Sequence, residues 1–231
     1  MNLDTIQHAA DTSGGILYLM TVLLLVALTI ALERAWYLRR VLVAGNEVMS
    51  RLDTVTRAET PLLRELSASC GQLPHARVLD AVLQHDLTHH FDRLSDKMEE
   101  AIMREAPRVD RYLWILDTII TLAPLLGLLG TIIGMFNAFQ VLSDPGSAPT
   151  KVTGGVAEAL LATACGLFIA ILGLVFFNGL NNRVRVIMHQ LETLKVMLIN
   201  RMYPHYHAPA QTNVHDRTHE GGPRVVRVGE V

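Results

Sequence analysis

Three long stretches of this chain carry no charged residue: between Asp11 and Glu33, between Asp117 and Asp144, and between Glu158 and Arg183. Each holds roughly twenty or more residues, and about twenty apolar residues take an α-helix across the hydrocarbon core of a bilayer. In hydrocarbon every backbone N–H and C=O must be paired inside the segment, which a helix achieves alone. Half of the residues are hydrophobic and 18% are charged, and the charges are segregated rather than interspersed. The expected fold is all-α: an integral membrane protein with three transmembrane helices extended into a cytoplasmic helical bundle.

The basic residues set the expected orientation. No Lys or Arg precedes the first apolar stretch, and Lys151 is the only one between the second and third. Arg34, Arg39, Arg40, Arg108, Arg111, Arg183 and Arg185 flank the other ends, and flanking Lys and Arg stay on the cytoplasmic side. This predicts a periplasmic N-terminus over residues 1–15, spans over 16–38, 112–142 and 153–182, and a periplasmic loop at 143–152. A cytoplasmic helical region fills 39–111, a helical extension 183–203, and a disordered tail rich in His, Pro and Gly 204–231. Asp4 and Asp11 precede the first span where a cleaved signal peptide needs basic residues. Trp36 and Tyr37 stand where interface aromatics are favoured.

Within the cytoplasmic region Leu79, Leu83, Leu87, Phe91, Leu94, Met98 and Ile102 recur every three to four residues, predicting an amphipathic helix over 77–105. Pro107 is expected to kink the chain into the second span. Val184, Ile187, Leu191, Leu194 and Leu198 keep the helical period beyond the third span, so that span and its extension form one rod of about 75 Å.

Most other chemistries are excluded. Cys70 is expected in the reducing cytosol and Cys165 lies inside a span, so neither belongs to a disulfide framework. His85, His89 and His90 have helical spacing, but no carboxylate or cysteine cluster completes a metal site. His205 and His207 lie in the loose tail and are discounted likewise. A net charge of −2 gives no nucleic-acid footprint. No nucleophile–base pair, phosphate loop or cofactor motif is present, so an enzyme is not expected.

The spans are unlike plain lipid-facing helices. Gly127, Gly130, Gly134 and Ala138 form a small stripe on the second, and Ala159, Ala162, Thr163, Gly166, Ala170 and Gly173 one on the third. Small residues let helix backbones approach closely, so these faces are expected to make helix and subunit contacts, with the bulky Leu23, Leu24, Leu25 and Val26 of the first span against lipid. Pro124 is a candidate kink in the second span. Thr131 and Thr163 sit at comparable depth in a helical hairpin, near mid-membrane, and Glu158 about 7 Å inside the outer boundary. For the threonines the competing reading is a hydroxyl bonded to its own helix backbone. For Glu158 it is an anchor at a helix N-terminus. Asp117, Asn178, Asn181 and Asn182 lie near the cytoplasmic ends, where solvated helix termini account for them.

Ala123-Pro-Leu-Leu-Gly-Leu-Leu-Gly-Thr-Ile-Ile-Gly-Met135 and Gly155-Val-Ala-Glu-Ala-Leu-Leu-Ala-Thr-Ala-Cys-Gly-Leu167 resemble the second- and third-span signatures of the MotA/TolQ/ExbB proton-channel family. The three-span plan and large cytoplasmic segment are similar to the ExbB/TolQ branch, with ExbB favoured; the flagellar branch has four spans. The family often has an Ala-Ile-Pro run in the third span, where this chain has Ala170-Ile171-Leu172-Gly173. The resemblance implies a bacterial inner-membrane homopentamer in contact with membrane lipid. It would surround the single spans of an ExbD- or TolR-like partner carrying an intramembrane aspartate. Proton flow would then drive a TonB- or TolA-like protein and, through TonB, outer-membrane transport. It also implies that Thr131, Thr163 and Glu158 line the proton pathway, with Glu158 at its mouth rather than as the carrier. Gly127, Gly130, Gly134, Ala162, Gly166 and Ala170 would make the packing and subunit contacts. A TolQ-type role in the Tol-Pal system, and a non-conducting membrane scaffold, are the alternatives.

Overall fold

The structure is a computed structural model that describes residues 15–55, 59–84, 91–142 and 149–203. Among these residues six helices follow in order: α1 (Ile16–Asp53), α2 (Thr60–Cys70), α3 (Pro74–Leu83), α4 (Phe91–Val109), α5 (Leu113–Leu142) and α6 (Pro149–Met202). The protein is all-α, and three of its helical runs are long and apolar enough to cross a membrane. The N-terminal residues, the tail, and His85, Leu87, His89, His90, His205 and His207 lie outside the described residues.

The long helices outrun any membrane. α1 has 38 residues and α6 has 54, the latter about 80 Å of helix. Both continue from apolar sequence into amphipathic sequence without a break, so the membrane hairpin and the bundle at its charged end share one backbone. Arg201 ties the two far ends together: Nε donates to the Val55 carbonyl at 2.9 Å and Nη2 pairs with Asp53 at 3.1 Å. Lys195 pairs with Glu99 of α4 along the same flank.

Short helices fill the charged end. Pro61 and Pro74 stand in the first turns of α2 and α3, where the missing N–H has no intrahelical partner to lose. Gly71, at φ 60°, closes α2 with its N–H on the Ser67 carbonyl at 3.2 Å. The single amphipathic helix expected over 77–105 is instead two. α3 ends at Leu83, with the Gln84 N–H on Asp80, and α4 starts at Phe91. One straight rod would have left half of its apolar stripe without a partner. As two helices, the segment buries Leu79 and, beside the expected stripe, Val82 from one and Leu94, Met98 and Ile102 from the other in a common core, with Leu83 half-buried against it.

Pro107 lies within α4, which ends two residues later. The turn after it is built by Tyr112, the only non-glycine with positive φ (67°) among the described residues. Arg34 of α1 pins this joint. It is 5% exposed, donates to the Arg108 carbonyl at 3.3 Å, and lies 5.0 and 5.1 Å from the Tyr37 and Tyr112 rings. Its Nε sits 2.8 Å from Glu33, an ion pair whose angle is not that of a hydrogen bond. A guanidinium thereby caps an orphan carbonyl at a helix C-terminus, where positive charge is favoured. Pro124 is accommodated within α5, which runs unbroken from Leu113 to Leu142.

Candidate functional site

α5 and α6 form an antiparallel hairpin whose seam is made of the smallest side chains. A Cβ on Gly130 would stand 2.7 Å from the Ala162 Cβ, and one on Gly134 2.7 Å from the Ala159 Cβ. One on Gly127 would meet the Thr163 Cα at 3.0 Å, and one on Gly166 the Ala123 carbonyl oxygen at 2.5 Å. Gly127, Gly130, Gly134, Ala162 and Gly166 therefore meet along one interface inside the protomer. Ala170 is half-buried and lies to the side of that seam.

The seam fixes which side of the hairpin is open. α1 lies across one side, where Leu17, Met20, Thr21 and Leu24 face Ala164, Cys165, Phe168 and Ile169 around a groove of about 300 Å³. On the opposite side of α5, Asp117, Thr121, Pro124, Leu128, Thr131 and Met135 recur at alternating steps of four and three residues. On α6, Leu160, Thr163, Leu167, Ala170, Leu174, Phe177 and Asn181 recur at alternating steps of three and four. Such a pattern marks one face of a helix, and every member of both stripes is exposed or half-buried. Thr131 and Thr163 thus share the open face away from α1.

Their hydroxyl protons are committed. The Thr131 Oγ1 donates to the Leu128 carbonyl of its own helix at 2.7 Å. The Thr163 Oγ1 donates across the seam to the Gly127 carbonyl at 2.9 Å. A hydroxyl has one proton and two lone pairs, so each oxygen is left as an acceptor. The seam pairs Gly127 with Thr163 and Gly134 with Ala159, so the Thr131 level falls between Thr163 and Glu158.

Glu158 is separate from this pair. Five residues from Thr163, it lies about 140° round the helix, on the stripe of Cys165 and Ile169 that looks toward α1. It is half-buried, and one carboxylate oxygen is fully buried with no hydrogen-bond partner among the described residues. Arg34 carries no site signal in the sequence beyond its flanking charge. Tyr37 one turn later was the available clue, since residues three apart share a helix face.

The site is thus an all-α hairpin with a glycine-packed seam and two hydroxyls on one open face. Residues 71–193 match the family model described as the MotA/TolQ/ExbB proton channel family, and the chain belongs to that family. It is 34% identical over 173 residues to biopolymer transport protein ExbB-like 1 of Synechocystis sp., covering 72% of this chain and 67% of that one. It is 40% identical over 91 residues to the Tol-Pal system protein TolQ of Haemophilus influenzae, covering 39% and 40%. It is 39% identical over 82 residues to the biopolymer transport protein ExbB of Xanthomonas campestris, covering 35% and 32%. The ExbB-like match extends along most of the chain, whereas the TolQ and ExbB matches cover shorter segments. Its family places the chain among multi-pass inner-membrane proteins that serve transport rather than among known enzymes.

Proposed function

We propose that the chain is the channel-forming subunit of a proton-driven motor of the ExbB type. It works with an ExbD/TolR-type partner, as a homopentamer around that partner's spans, and energises a TonB-like protein for outer-membrane transport. The N-terminus and the α5–α6 loop face the periplasm, and the bundle and C-terminus face the cytoplasm, in keeping with the distribution of Lys and Arg. The length of the match to an ExbB-like protein favours this over a Tol-Pal role.

The observation that carries the reading is the pair of acceptor-only hydroxyls on the open face. A protonated carboxylic acid has an O–H to donate, and a carboxylate has none. Thr131 and Thr163 therefore offer a favourable contact to a partner's intramembrane aspartic acid only while it holds its proton. An ionised one meets two more lone pairs in a medium where charge is expensive. The open face thus favours carrying the proton inward on the partner over passage of the bare anion. Glu158 lies off the open face, on the α1 side near the periplasmic end, and its buried oxygen has a bond to gain from water or a neighbouring subunit. The seam glycines fix the register in which the hydroxyls stand.

A scaffold role needs only the glycine seam and the backbone bonds of the two hydroxyls, and leaves their free acceptor sites without a use. Reconstitution in vesicles separates the two readings. The full chain with an ExbD/TolR-type partner should pass protons under a membrane potential, and neither protein alone should. A tight complex that stays proton-tight would support the scaffold.

A further inference from the structure

Beyond Thr131 and Thr163 the open face carries a polar group to its charged end. Asp117 is on the same α5 stripe, 14 residues before Thr131, about 21 Å along the helix. Asn181 is on the same α6 stripe, 18 residues after Thr163, five full turns. The two converge on one cleft of about 460 Å³, bounded by Phe177 and by the Asp110–Tyr112 joint.

The cleft has a fixed wall. The Arg111 guanidinium lies 4.5 Å from the Tyr112 ring and the buried Arg34 5.1 Å from it. Trp114, 69% exposed, also lines the cleft, an aromatic of the kind favoured at membrane interfaces. Between the cleft and Thr131, the Thr121 hydroxyl is spent on the Thr118 carbonyl at 2.9 Å, so this stretch adds another acceptor oxygen and no ionisable group. The charged groups facing Asp117 in the cleft are Asp110 and Arg111. Among the described residues its carboxylate forms no ion pair.

We infer that Asp117 is the proton acceptor at the cytoplasmic mouth of the passage, with Asn181 opposite it and the Tyr112 joint as the wall. The partner's acid gives its proton to water at the cleft, and an O–H bond of that hydronium breaks as one forms on the Asp117 carboxylate, leaving water. That bond then breaks as the proton moves to cytoplasmic water, and the carboxylate is restored with no net consumption. Asp117 holds the only ionisable position of the α5 stripe, and it opens on the cleft that Asn181 of the α6 stripe also lines.

The inference rests on the proton-channel reading, and the test keeps the two apart. The full chain is reconstituted in vesicles with an ExbD/TolR-type partner, and potential-driven proton uptake is measured. Absence of partner-dependent flux in the unaltered chain would reject the channel reading itself. Given that flux, Asp117→Asn should lower it roughly tenfold or more, since a proton-transfer group contributes at least that much. Asp117→Glu should retain most of it. Formate or azide on the cytoplasmic side should restore flux to Asp117→Asn, and should not restore it to Thr131→Val/Thr163→Val. Unchanged flux in Asp117→Asn overturns the inference. So does a loss that neither Asp117→Glu nor the small acids repair, which would mark a structural role.

Discussion

α6 packs the same backbone in two ways. In its membrane half it turns Gly155, Ala159, Ala162, Gly166 and Gly173 inward against α5 and leaves Leu160, Leu167, Ile171 and Val175 outside. In its other half it buries Val184, Ile187, Leu191, Leu194 and Leu198 and exposes Arg185, His189 and Glu192. The solvent explains the inversion. In water, burying a leucine is worth about 1.5–3 kcal/mol. In lipid the tails solvate leucine as well as protein does, and only close backbone approach is left to hold helices together. One helix can thus be cemented at one end and held by a shape-dependent seam at the other.

Shrinking a bundle residue has the largest expected effect. Leu194→Ala, at a site with no exposed surface, is expected to destabilise the folded chain by about 2–5 kcal/mol in denaturant unfolding in detergent. A loss well under 1 kcal/mol would mean that the bundle is not packed as a water-facing core.

Acid probes the same core. His75 is fully buried, both ring nitrogens lack partners among the described residues, and burial pushes its pKa from 6.5 down to about 4. The folded form therefore resists a proton that the unfolded chain accepts. The stability linked to this residue is complete above pH 6.5 and is lost as pH falls toward 4, to the extent of about 3 kcal/mol. His75→Leu should flatten that part of the stability–pH curve; an unaltered slope would contradict the assignment.

In the membrane half the effect reverses, and enlargement is what harms. Gly166→Ala puts a methyl 2.5 Å from the Ala123 carbonyl oxygen, a backbone atom that cannot swing aside, and should cost about 1–3 kcal/mol. Gly179, on the same helix, has nothing within 4 Å of an added Cβ. Gly179→Ala should be neutral or stabilising by up to about 1 kcal/mol, because alanine favours helix. Equal effects at the two glycines, by thermal unfolding in detergent, would remove the seam from the account.

Much of this was legible in the sequence because it follows from periodicity. Charge-free windows mark the long helices, and small residues at three- and four-residue steps mark the seam. Spacing alone sets Glu158 off the face of Thr163, five residues away, whereas the family resemblance groups the two in one pathway. What was not legible depends on register between helices. Nothing in the sequence pairs Thr163 with Gly127, so the fate of its hydroxyl proton needed the hairpin itself. The division of 77–105 into α3 and α4 depended on α6 being there to share the core. The buried Arg34, and the contact of Gly45 with His75 and Gln190, where an added Cβ would come within 2.5 and 2.6 Å of side-chain atoms, are long-range juxtapositions that local pattern does not encode.

The central claim is that two hydroxyl oxygens, with their protons already spent, receive a protonated acid in the passage. Proton flux through the partner-bound complex, compared between Thr131→Val/Thr163→Val and Thr131→Ser/Thr163→Ser, tests it most directly. Serine keeps an acceptor oxygen and valine keeps only the shape. The account predicts normal assembly in both, flux retained with serine and largely lost with valine. Undiminished partner-dependent flux in the valine pair would contradict it.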